Sequence, residues 1–221
     1  MSTTSRTRPT SAAPSAKSSN RDRISRRQVD KFAERRSELA AAALQTLAEL
    51  GYARTSLREI AQNSGFSHGV LHYYFADKVE LILYCVKQYK AHCVQRYDEI
   101  VATSTTPDEL CRGFAHALAE TARDDAAMHR LWYDLRSQSM FTPELQADVL
   151  DIDGSLLQMI WRVVSRYAEL AERPVSLDES ATYAAFDGLF QQALLRHLTG
   201  DGDALTELTD RAEKLLPKLV D

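Results

Sequence analysis

The sequence predicts an all-α fold of about nine helices, on three observations. Apolar residues recur at three- and four-residue spacing along most of the 221 residues and never alternate at period two for long enough to make a strand. The 8 Gly and 6 Pro are few and fall mainly between those periodic segments. Ser, Thr or Asp stands ahead of several segments, in two cases with Glu three residues later, the pattern that satisfies free N–H groups at a helix start. A hydrophobic share of 44% beside 26% charged residues is that of an ordinary globular chain. No apolar run approaches the roughly 20 residues a bilayer span needs, so no membrane partner is expected. Three cysteines, odd in number and without a disulfide framework, fit a reducing cytoplasm.

Residues 1–27 are rich in Ser, Thr, Arg, Ala and Pro without apolar periodicity, and are expected to form a disordered basic arm. The same composition suits an organelle transit peptide. Arg21, Arg23, Arg26 and Arg27, however, lie just ahead of the segment 55–78 and fit an arm that reaches phosphates or a minor groove, with an inert tail as the alternative. The absence of an apolar core excludes a secretory signal. From 29 to 50, Phe32, Leu39, Ala43, Leu47 and Leu50 mark a helix that Gly51 stops. Thr55 or Ser56 caps the next, with Glu59 completing a capping box. Ser64-Gly65-Phe66 breaks it, Ser67 caps a third short helix, and Asp77 with Glu80 opens a fourth that runs to about 102. Further helices are expected over about 107–123, 125–139, 143–171, 178–198 and 203–219. Pro107 and Pro143 fit at first-turn positions, where no N–H is needed.

Charge is unevenly spread. Residues 1–80 carry 13 Lys/Arg against 8 Asp/Glu, whereas residues 81–221 carry 14 against 23. A basic first third on an acidic body is the footprint of local phosphate binding, although a solvated tail produces the same count. Within that third, Thr55 to Lys78 (TSLREIAQNSGFSHGVLHYYFADK) gives two short amphipathic helices joined by a Gly-containing turn. This is the helix-turn-helix arrangement, which can lay its second helix in a DNA major groove.

Residues 35–83 resemble the DNA-binding domain of the tetracycline-repressor (TetR) family. The matching elements are the Ala40-Ala41-Ala42-Ala43-Leu44 run, Gly51-Tyr52, Thr55-Ser56, Ile60-Ala61, Gly65-Phe66-Ser67 with Gly69, Leu71, Tyr74-Phe75, Lys78 and Leu81. The resemblance implies a three-helix DNA-binding domain over 28–83 and a helical ligand-sensing and dimerisation domain over 84–221. It implies that Ser67, His68, Gly69, His72 and Tyr73 form the exposed face of the recognition helix, and that Lys78 binds a phosphate. Thr55 and Ser56 sit at a helix N-terminus, where hydroxyls and amides suit a phosphate. The chain departs from the family at His68, where Lys, Arg or Thr is common, and at His72, where Tyr is common. The two histidines have i, i+4 metal-binding spacing, but no third ligand is nearby, and no metal or cofactor is expected.

In the second domain, Tyr97, Phe114, Trp132, Tyr133, Arg136, Met140, Met159 and Phe186 are candidates for an effector pocket, since aromatic and Met side chains line adaptable apolar cavities. At any one position, ordinary core is the commoner fate of such residues. His116 and Gln158 are further polar candidates. The segment 181–198 is apolar on more than one face and must be buried twice. With 203–219 it resembles the pair of helices that dimerise across a twofold axis, through Phe186, Leu189, Phe190, Ala193, Leu194, Leu208 and Leu215. Cys85 and Cys93, eight residues apart on one helix, lie about 12 Å apart, too far to bridge. No nucleophile–base–carboxylate arrangement or phosphate-binding glycine loop is visible, so no enzyme is expected. The expectation is a bacterial, cytoplasmic, nucleoid-associated regulator. It would be a repressor that binds a palindromic double-stranded operator as a homodimer and is released by a small, largely apolar effector. A ligand-independent dimeric DNA-binding protein, or an activator on the same fold, stands beside it.

Overall fold

The computed structural model describes the backbone of residues 16–51 and 55–221, and the side chains of residues 27–47, 49–51 and 55–221. The chain divides between Glu38 and Leu39 into two units. Among the described residues there are nine α-helices and no named strand. They are α1 (Ala16–Leu50), α2 (Leu57–Ser64), α3 (His68–Tyr74), α4 (Lys78–Thr103), α5 (Pro107–Asp124), α6 (Ala126–Ser139), α7 (Pro143–Ala171), α8 (Glu179–Leu198) and α9 (Ala204–Leu215).

The first unit corrects one expectation. The arm expected to be disordered over 1–27 is helical from Ala16 onward, and residues 1–15 lie outside the described residues. From Ala16 to Glu38 the run is dominated by Ala, Arg, Lys, Gln and Glu, residues that lose little on entering a helix, and it contains no Gly or Pro. A helix built on propensity needs no apolar face, which is why periodicity did not reveal it. Val29 and Phe32 in this stretch are accordingly 64% and 40% exposed.

In the second unit the core begins at once with Leu39, Ala43 and Leu47 of α1. Leu57 and Ile60 of α2, Leu71 of α3, Phe75, and Leu81 and Ile82 of α4 close against them as part of one buried cluster. Local chemistry fixes the turns. Gly51 and Gly65 end their helices at φ 75° and 72°, a left-handed backbone that a Cβ disfavours by about 1–2 kcal/mol. The capping box forms as expected: Ser56 Oγ accepts from the Glu59 N–H, and the Ser56 N–H donates to the Glu59 carboxylate.

Helices α4 to α9 form the rest. α5 packs chiefly on α9, α4 on α7, and α8 on α7 and α9. Trp132, Phe114 and Phe186 are each 1% exposed or less and stabilise the domain by roughly 2–3 kcal/mol apiece through removal from water. The last helix ends earlier than expected. It stops at Leu215 and tightens into a 3₁₀ turn, Leu216–Leu219, because Pro217 has no N–H with which to continue the ladder. The thiol of Cys111 donates instead to the Glu213 carbonyl that such an N–H would have reached (3.5 Å). No described helix is long and apolar enough to cross a membrane.

Candidate nucleic-acid interface and interior cavity

The recognition helix α3 has one buried anchor, Leu71, flanked by Phe75 at its end, and these two hold it on the domain core. Ser67 caps it through the Val70 N–H. The positions pointing away are Ser67, His68, Gly69, His72 and Tyr73, all exposed, with Tyr73 at 73%. The His68 and His72 rings meet edge to face at 4.4 Å between centroids, so the two act as one aromatic, hydrogen-bonding ridge. Gly69 has nothing within 4 Å of where its Cβ would stand, which leaves a smooth gap beside that ridge. All five positions are thus open to solvent. Ser56 is also exposed, and Lys78 is half-buried at the first position of α4.

Thr55 does not belong to this surface. It is 3% exposed, and its hydroxyl donates to the Gly51 carbonyl at 2.7 Å, fastening the end of α1 to the start of α2. The hydroxyl satisfies a carbonyl that the helix end leaves free, so the side chain turns inward. Tyr52 lies outside the described residues.

Helices α4 to α8 line a partly open cavity of about 60 Å³. Of the residues proposed for an effector pocket, Trp132, Tyr133, Met159, Tyr97 and Phe186 line it. Three expected residues do not. Phe114 lies behind the wall, its ring packed on Tyr97 and Phe186. Met140 is 71% exposed because α6 ends just before it. Arg136 is spent on Asp187 (2.6 Å) and Asp153 (3.3 Å). His116 is exposed, and Gln158 is exposed and bonded to Glu179.

The cavity's polar residues went unseen in the sequence. Lys90 of α4 lines the cavity at 4% exposure, with its ammonium 3.0 Å from Nδ1 of His129 on α6. His129 Nε2 lies 3.1 Å from the Tyr89 hydroxyl. Burial pushes the Lys90 amine down to about 8. Burial, and then the neighbouring ammonium, holds His129 well below its usual range, so the imidazole is neutral. A charged Lys90 donates to Nδ1, which places the ring proton on Nε2, where it donates to Tyr89. Asp187 also lines the cavity, accepting from Tyr133 (2.9 Å) and Arg136. A signal existed: Lys90 interrupts the apolar stripe of Val86, Cys93 and Tyr97, which places it on the buried face of its helix.

Cysteine chemistry finds no support in this geometry. Cys85 is buried, donates to the Ala40 carbonyl at 3.3 Å and is pushed up to about 12 by burial. Burial also raises Cys93 and takes Cys111 to about 11. All three are thiols, not thiolates, at neutral pH.

The expected dimer surface divides in two. Phe186, Phe190, Ala193, Leu194 and Leu208 are between 1% and 7% exposed and serve the domain's own core. Against the expectation they face inward, because the inward side of α8 forms a cavity wall and the inward side of α9 packs on α5. Leu189 and Leu215 are half-buried and line a shallow groove with Ala185 and Lys218. Leu195 and Leu198, 64% and 40% exposed, line a second groove with Gly188.

Helices α4 and α6 run from the cavity to α1. One side of α6 presents His129, Trp132 and Tyr133 to the cavity. The other reaches the end of α1, where Arg130 donates to the Glu49 carbonyl (3.4 Å) and Asp134 stands 3.3 Å from where a Gly51 Cβ would be.

Residues 39–85 match the tetR family of bacterial regulatory proteins. That segment is of the tetR family. The chain is 30% identical over 112 residues to the HTH-type transcriptional repressor KstR2 of Mycobacterium tuberculosis, covering 49% of this chain and 56% of that protein. It is 27% identical over 115 residues to the HTH-type transcriptional regulator BetI of Yersinia pestis, covering 50% and 57%. The chain thus spans about half the length of the curated relatives it matches. Its fold is similar to the transcriptional regulator FadR of Bacillus subtilis in complex with stearoyl-CoA, with a TM-score of 0.67 and 20% identity over 81% of this chain and 96% of that one. At that identity the likeness shows the shared fold alone.

Proposed function

We propose that this chain is a ligand-responsive transcriptional repressor of the TetR family. It binds a palindromic operator as a homodimer and is released by a small, largely apolar effector held in the interior cavity. One observation carries the reading: two of the helices that wall the cavity, α4 and α6, also touch α1, through Cys85 on the Ala40 carbonyl and Arg130 on the Glu49 carbonyl. In each subunit the ridge of His68, Gly69, His72 and Tyr73 enters the major groove, while Ser56 and Lys78 take flanking phosphates. The uncovered side of α8, with Leu189, Gly188, Leu195 and Leu198, and Leu215 of α9 pair across the twofold axis.

A cavity of about 60 Å³ is small beside the roughly 300 Å³ or more of drug-sized sites. An effector therefore moves α6 as it enters, and α6 displaces the end of α1. That shifts the spacing of the two recognition helices, by no more than the effector's preference for the displaced state. The relatives lend support, since KstR2 is named a repressor and FadR was seen with stearoyl-CoA.

The test is selection of bound duplexes from a random pool with the purified chain. The expected consensus is an inverted repeat with half-site centres about 10 base pairs apart or a multiple of it. An unpaired half-site, or no motif at all, refutes dimeric operator reading.

A further inference from the structure

Accepting the cavity as the effector site, the geometry points to the chemistry of the effector: we propose that it is a carboxylic acid on an apolar body, with its carboxylate held by Lys90. A buried lysine ordinarily has a carboxylate partner. Among the described residues none lies within 4.0 Å of the Lys90 ammonium, whose one hydrogen-bond partner is the neutral His129 ring at 3.0 Å. Two of its three N–H donors are left over on a side chain that is 4% exposed.

The candidate counter-ion inside the cavity is already used. Asp187 accepts from Tyr133 through one oxygen and from Arg136 through the other. Trp132 adds a further donor: its Nε1 is buried without a partner, and its ring centroid lies 5.4 Å from the Lys90 ammonium. The cavity thus has donors to spare at one end and a satisfied carboxylate elsewhere. Phe186, Phe190, Met159 and Ile160 supply an apolar wall for the remainder of the ligand.

This arrangement sorts ligands by charge. A cation meets the Lys90 ammonium and is repelled. A neutral molecule leaves the ammonium two donors short. An anion satisfies them with charge-assisted bonds, which are roughly twice as strong as neutral ones. His129 aids indirectly: it holds the lysine tip in place while donating from its other nitrogen to Tyr89.

The experiment titrates the full chain at neutral pH with hexanoate against hexanamide, and with phenylacetate against phenylacetamide. Binding is followed by tryptophan fluorescence, to which Trp132 in the cavity wall contributes. The acid of at least one pair should bind roughly tenfold or more tightly than its amide. Lys90→Met should remove that preference while leaving amide binding nearly unchanged, and Lys90→Arg should retain it in part. The wild-type comparison stands even if a variant fails to fold. Equal binding of acid and amide overturns the carboxylate assignment and leaves the apolar cavity as the effector site. No saturable signal from any of the four overturns both.

Discussion

Replacing Lys90 with Met should make the ligand-free protein more stable at pH 7, and by less as pH rises. The amine has an ordinary value of 10.5 and is pushed by burial to about 8 in the folded chain. At about 1.4 kcal/mol per pH unit, holding it charged in the fold costs on the order of 3 kcal/mol at neutral pH. The direction follows from proton linkage. Between about 8 and 10.5 the unfolded chain holds the proton that the folded chain has lost, so stability rises with pH through that window. The penalty is present in full below the folded value and is gone above the unfolded one. Methionine removes it with similar length and no charge, but leaves His129 Nδ1 without its donor, a loss of roughly 1–2 kcal/mol. The net expectation is a gain of about 1–2 kcal/mol at pH 7. That gain should shrink by roughly 2 kcal/mol by pH 9.5. Burial raises the neighbouring Cys93 and Tyr89, which ionise late in the fold and lower stability at high pH, but they do so in both proteins and largely cancel in the difference. Urea denaturation of the two proteins at both pH values, compared through midpoints and slopes, reads the effect. A Met variant that is less stable at pH 7, or a difference that does not change with pH, would refute the picture of a charged lysine buried without a counter-ion.

Two further outcomes bear on the DNA and dimer surfaces. Lys78→Ala should weaken binding to all duplexes alike and reduce the salt slope by about one; a loss confined to the operator would contradict a phosphate role. Leu195→Asp should give folded monomers in sedimentation, because the side chain is 64% exposed in one chain. Phe190→Asp should instead cost several kcal/mol and lose the fold, since its side chain is 7% exposed against the cavity. Dimers that survive Leu195→Asp would remove the outer face of α8 from the interface.

The reading head was legible because its signals are short-range. The Ser56–Glu59 box, the Gly65 turn and the Ser67 cap each act within one helical turn, so residue spacing alone specifies them. The direction each side chain faces in the second domain depends on partners far along the chain. His129 comes to Lys90 from 39 residues away, and no periodicity carries that information. On α8 the sequence shows an apolar surface most of the way round, which is right. It could not divide Phe186, Phe190 and Leu194, taken by the chain's own core, from Leu189 and Leu195, left outside. Thr55 is a milder case of the same kind. A hydroxyl at a helix start suits a phosphate and a helix-end carbonyl equally, and only the return of the chain past Gly51 decides for the carbonyl.

The link between cavity and reading head has a physical consequence of its own. The Arg130 bond to the Glu49 carbonyl is long, at 3.4 Å, and exposed, so it contributes little energy by itself. The Cys85 bond to the Ala40 carbonyl is a weak thiol contact. Neither can act as a latch whose breaking releases DNA. What remains is position: α6 is one rigid 14-residue element with the cavity on one side and the end of α1 on the other. Asp134 Oδ2, 3.3 Å from a Cβ built on Gly51, leaves little slack between α6 and α1. A displacement of α6 is therefore passed to α1 by close packing, since packed interiors shift as units and do not compress. On the proposed reading, an effector would act to the extent that its carboxylate and apolar body together prefer the displaced α6, and coupling should survive loss of the Arg130 bond while failing when the Trp132 wall is cut away.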